Sequence, residues 1–299
     1  MVYNIIITTF EKTNNMNQIL TVLAVLFTFP VAAQNPEKFS KEINEEGVAL
    51  YHSEMTSWNG TDIFIENYKN RENIGGYFSY LDAGIPKCVF FSKNQKVIGT
   101  ISFPANYNPK DAKIDLEERD FTQKETEYFT IRQNALKRIK NDTIFKVYKD
   151  TNLNIVPLIR NKVKKVYILT ATSAGNTVIF GNDYLITFDN KDQVKNVEKL
   201  HNSMIVQKIH DEKTGHTISG MHSHVIENWQ MITPTDICTL MLYQKFTEWK
   251  SYMTISKKFV SIWNSNNNLV IMKTENFKGM AENILKNKKD KPEPEKTDK

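Results

Sequence analysis

Residues 217–249 read TISGMHSHVIENWQMITPTDICTLMLYQKFTEW, and their pattern changes midway. Residues 217–224 have the composition and bounds of a strand, and on a strand positions i and i+2 project to the same face, so His222 and His224 share one side. Residues 234–249 then follow helical spacing. Thr233 suits the N-cap and Pro234 the first helical position, which puts Asp236 at the third with its carboxylate beside the helix N-terminus. A strand bearing His-x-His that faces this helix start offers two nitrogens and one oxygen to an ion and leaves a fourth tetrahedral position for water.

Working outward, strand-like runs precede this stretch at 166–171, 177–180, 184–188, 194–200 and 204–209. Others follow it at 252–256, 260–263 and 269–272, with an Asn-rich turn at 264–268. Strands mixed with one strong helix predict the α+β class, with a sheet domain over 161–280. The N-terminal region, 35–160, also reads as α+β. Residues 35–70 are polar and partly helical, with a turn expected at Trp58-Asn59-Gly60-Thr61; strands at 77–81, 88–91 and 97–103 follow. Thr122 and Glu125 form a capping box that opens a helix whose apolar stripe is Tyr128, Ile131, Ala135 and Ile139.

The chain start reads as an export signal. Residues 19–29, ILTVLAVLFTF, are too short for a bilayer span of about 20 residues, and Val31 and Ala33 suit cleavage after Ala33. Residues 1–33 are therefore expected to be removed, with Met16 as an alternative start, giving a periplasmic or secreted protein. No cysteine follows the cut to carry a lipid, so no membrane anchor is expected. Export would permit a disulfide between Cys88 and Cys238, although Cys238 sits in an apolar helical pattern that suits a buried thiol. Residues 286–299 lack apolar side chains and read as a disordered charged tail. With 39 basic and 34 acidic residues interspersed, the net charge of +5 forms no block that would bind nucleic acid. There is no Gly-rich phosphate loop and no Gly-x-Ser-x-Gly elbow.

Met221-His222-Ser223-His224 followed by Thr233-Pro234-Thr235-Asp236 resembles the metalloprotease motif of JAB/MPN (JAMM) domains, including the RadC-type bacterial members. Residues 251–263 are similar to the strand pair that follows that family's motif helix. Residues 184–200 look like the hairpin whose second strand carries its glutamate. The resemblance covers roughly 164–273. It implies zinc held by His222, His224 and Asp236, with Glu198 as general base and the Thr233 hydroxyl where the family has serine. The implied reaction is hydrolysis of a peptide or isopeptide bond in a peptide or protein substrate. Eight residues rather than seven separate His224 from Thr233, and Val225 replaces the family's proline. Asp183 and Asp189 are fallback acids. The same residues also suit a non-catalytic module or a structural metal site. His201, His210 and His216 are read as surface or supporting residues. A cupin, loosely echoed by Gly215, His222, His224 and Glu227, lacks the later histidine it needs.

Overall fold

The computed structural model describes residues 36–211, 215–216 and 219–289; the expected signal, 1–33, and residues 290–299 lie outside the described residues. Its architecture is α+β, as the alternating periods predict.

The first element is a single helix, α1 (Pro36–Asn67), with no turn at Trp58–Thr61. Gly60 serves contact rather than bending, since a Cβ there would lie 2.7 Å from the Cys88 Cβ. Its bare Cα lets the helix sit directly on the sheet formed by β1 (Ile74–Asp82), β2 (Ile85–Ser92), β3 (Val97–Ser102) and β4 (Lys113–Asp115), which are antiparallel in that order. Phe64 of α1 stacks on Phe90 of β2 with ring centroids 3.9 Å apart. Offset or parallel aromatic packing of this kind adds to the burial of apolar area that holds helix to sheet.

The second helix, α2 (Gln123–Asn141), has both halves of the expected capping box and buries Tyr128, Ile131 and Ala135. Its N3 residue, Glu125, does more than cap. The side chain is buried, and Arg119 grips it through two bonds of 2.7 and 2.8 Å while the Thr122 N–H donates at 2.8 Å. Burial alone would raise the carboxyl pKa, but Arg119 and Thr122 hold it below the ordinary glutamate value. The unfolded chain therefore takes up this proton first as pH falls. The stabilisation is complete above the ordinary range, near about 4.3, and disappears as pH drops through the lower folded value. Urea midpoints measured across that acid range should fall less steeply for Glu125→Gln than for wild type, and at neutral pH the variant should lose about 1–3 kcal/mol.

The next pair, β5 (Thr151–Arg160) and β6 (Val163–Thr172), is joined at Asn161-Lys162, where both residues have positive φ, 50° and 64°. That is the backbone of a two-residue hairpin turn. The change of texture at 160/161 therefore falls at a hairpin tip, and one sheet spans the expected domain boundary. Then come β7 (Thr177–Gly181), β8 (Tyr184–Phe188), β9 (Val194–Lys199) and β10 (Met204–Lys208). Strands β5, β6, β8 and β9 form an antiparallel sheet in that order, and β7 pairs with β10. A short ribbon, β11 (His210–Asp211) with β12 (Gly215–His216), precedes β13 (Ser219–His224).

From β13 the chain passes through α3 (Pro234–Tyr243) to β14 (Ser251–Ser256), which pairs parallel to β13. Parallel neighbours need such a crossover. Antiparallel β15 (Phe259–Asn264) and β16 (Leu269–Lys273) complete this sheet, and α4 (Thr274–Lys289) packs on it through Phe277. Helix α4 extends over 286–289, the first residues of the segment expected to be a disordered tail. Helix α1 also packs against α3. Gly47 makes that approach, because a Cβ on it would lie 2.4 Å from the Ile237 Cβ. The N-terminal helix thus braces the helix that carries Asp236. Cys88 and Cys238 are both buried and both free.

Candidate metal centre

Four side chains from three parts of the chain converge: His201 just after β9, His222 and His224 on β13, and Asp236 in the first turn of α3. Their side chains are 1–3% exposed. The Nε2 atoms lie 3.3 Å apart for His201 and His222, 3.2 Å for His201 and His224, and 2.9 Å for His222 and His224. Asp236 closes the figure, with Oδ1 at 3.2 Å from His201 Nε2 and 3.5 Å from His222 Nε2, and Oδ2 at 3.2 Å from His224 Nε2.

The expected trio of His222, His224 and Asp236 is brought together, and for the predicted reasons. Strand alternation turns both histidines inward, and Thr233, Pro234 and Asp236 start the helix with both halves of a capping box. The Thr233 N–H and hydroxyl each donate to Asp236 Oδ2 at 2.8 Å. These bonds and the helix N-terminus favour the ionised carboxylate.

His201 corrects the expectation of a surface or supporting role: it is buried and supplies the fourth converging atom. Asp183, one of the fallback acids, orients it through an Oδ1 contact of 2.7 Å to Nδ1, and the Thr235 hydroxyl donates to Asp183 Oδ2. Gly181 makes room for this arrangement. Its φ is +75°, and a Cβ there would lie 2.3 Å from the Ser203 carbonyl oxygen and 3.0 Å from the His201 Cβ. His210 is exposed, and the surroundings of His216 lie outside the described residues.

Each imidazole is also held from behind. His201 Nδ1 faces the Asp183 carboxylate, His224 Nδ1 faces the Trp229 carbonyl at 3.1 Å, and His222 Nδ1 lies 3.0 Å from the Tyr252 hydroxyl. Carboxylate and carbonyl oxygens only accept, so when neutral, the form that binds a metal, the first two rings carry their proton on Nδ1 and turn a bare Nε2 lone pair inward. Those lone pairs point at each other and at Asp236 Oδ1, which is buried and receives no hydrogen bond. A closed box of acceptors calls for a cation, and this set can hold a metal ion.

The titration behaviour carries the same sign. Burial lowers the His201 pKa, but the Asp183 and Asp236 carboxylates outweigh it and raise the ring well above its ordinary value. Burial likewise works to raise Asp236, yet His201 and His222 bring it well below the usual carboxylate range. For His222 burial dominates and pushes the ring down to about 3.

The other expected site residues lie around the four. Glu198, on β9, is half-buried; its carboxylate accepts from the Trp229 indole N–H at 3.2 Å and from Asn196 at 2.8 Å, and it is not among the converging atoms. The Thr233 hydroxyl is engaged with Asp236 and Thr235. Asp189 caps a turn, accepting from the backbone N–H groups of Lys191 and Gln193. Glu227, of the cupin-like set, is exposed and paired with Lys258.

No family model, curated protein or solved structure matches this chain. What fold and site define together is an α+β protein with a buried group of three histidines and one aspartate able to hold a metal ion.

Proposed function

We propose that the chain is an exported zinc protein with a closed, non-catalytic metal centre, built on a JAB-like sheet and used as a stabilised binding module. The observation that carries this reading is His201. It occupies the corner that water holds in a catalytic zinc site, so all four positions belong to the protein.

Size supports zinc. Four nitrogen or oxygen ligands at about 2.0–2.1 Å in a tetrahedron stand about 3.3–3.4 Å apart; the three Nε2 atoms here are 2.9–3.3 Å apart, and all four ligand atoms lie within 4.8 Å of one another. Calcium would ask for more oxygens at about 2.3–2.6 Å, hence a wider cage. Three imidazoles with one carboxylate suit zinc, and the full set of partners behind the rings suits a site tuned to keep its ion.

The JAB-like reading draws support from strand β13, crossover helix α3 and parallel strand β14, which carry the His-x-His pair and Asp236 in that family's order. That convergence also favours a second reading, a zinc-dependent peptidase or isopeptidase. Hydrolysis would then require His201 to yield its place to water and Glu198 to leave Trp229 and Asn196. The discriminating test is amide hydrolysis by zinc-loaded wild-type protein against a broad panel of peptides and isopeptide-linked substrates. No zinc-dependent turnover is expected; turnover abolished by chelation and restored by zinc contradicts a closed centre.

A further inference from the structure

The other end of α3 borders a cavity. It measures about 380 Å³ and opens where α1 meets the last turn of α3 and the β1, β5 and β6 strands. This is within the range of small-ligand pockets, roughly 300–1,000 Å³. Its walls include three aromatic rings, Trp58, Tyr77 and Tyr243, together with the acids Glu54 and Asp62. Trp58 is 53% exposed, which is unusual for a side chain of its size unless something covers it.

The two charged groups that line this cavity, Glu54 and Asp62, share one sign. Glu54 accepts from Asn154 Nδ2 through Oε2 at 2.7 Å, and among the described residues it has no ion pair. Its charge is felt by Tyr77 and Tyr243, whose hydroxyl pKa values rise through burial first and through Glu54 second. Burial also raises the Glu54 carboxyl. Leu242 and Tyr243 belong to the C-terminal turn of α3, the negative end of the helix dipole, and that turn has no basic side chain. The Thr61 hydroxyl, also in the wall, is buried without a partner. Arg132 lies over the rings of Tyr77 and Phe91 and makes no ion pair with Glu54.

We infer that this cavity binds a small organic ammonium ion, with Glu54 as its counter-charge and Trp58 among the aromatic faces that receive the cation. Aromatic faces attract such ions by their quadrupole, and an acid left without a counter-ion supplies the charge that distinguishes them from neutral molecules of equal shape. The site is independent of the metal: Glu54, Trp58 and Tyr77 touch none of the four converging ligands.

Isothermal titration of the full chain with choline, n-butylammonium and the neutral choline isostere 3,3-dimethylbutanol tests this. At least one ammonium should bind in the micromolar to millimolar range while the alcohol binds roughly tenfold more weakly or not at all. Glu54→Gln, which keeps the acceptor for Asn154, and Trp58→Leu, at an exposed position, should each weaken that ammonium by roughly tenfold while zinc content stays unchanged. Equal binding of choline and the alcohol, no binding of either ammonium, or full binding by both variants overturns the inference.

Discussion

Replacing His222 and His224 together by alanine is expected to abolish zinc binding, taking the purified protein from one ion per chain to none. The reason is geometric. The two Nε2 atoms lie 2.9 Å apart and form one edge of the ligand set, so their loss leaves one imidazole and one carboxylate from separate elements. Stability should follow. An ion that binds only the folded state at a thousand times its dissociation constant adds about 4 kcal/mol, or roughly 8–16 °C in melting temperature for a chain of this order of size. Wild type stripped by a chelator should lose that increment, and the double variant should show no further response to chelator. Equal zinc content in variant and wild type would remove the site.

His201→Ala is expected to weaken zinc at least about a hundredfold, the upper end of what changes behind a ligand achieve, because a ligand itself is lost. Asp183→Asn leaves His201 in place but removes the charge that orients its ring, so a smaller loss, about tenfold to a hundredfold, should appear there. The graded order distinguishes a ligand and its support from two incidental polar residues. Competition titration with a zinc indicator reads both constants. If His201→Ala keeps wild-type affinity, the fourth corner belongs to water and the catalytic reading regains its footing.

Local rules reached far in this chain. The α2 capping box, the β1 to β3 meander and the placement of Asp236 by Thr233-Pro234 are all interactions of near neighbours, and each is formed as the residues imply. The expectation at Gly60 failed because the same residue serves two ends. Glycine beside asparagine reads as a turn, but here its missing side chain meets Cys88 from another element, which no local pattern records. The change of texture at 160/161 coincides with a hairpin tip, and only the pairing of β5 with β6, not the polar composition of the turn, shows it.

In the site, the pair His222 and His224 was legible because its spacing equals the period of the strand that bears it. His201 carries no such mark. It lies 21 residues before His222, and its inward turn depends on the left-handed Gly181, the bond from Leu200 N–H to the Asp183 carbonyl, and the Asp183 carboxylate. The crowding of five histidines between His201 and His224 was the one signal available, and it does not say which of them face inward.

Whether the centre is closed is most directly read by zinc-edge X-ray absorption on the loaded wild-type protein. The expected result is one zinc with three imidazole nitrogens and one carboxylate oxygen at about 2.0–2.1 Å, and no exchangeable water. Two imidazoles with an added water, or no discrete zinc shell at all, would contradict it.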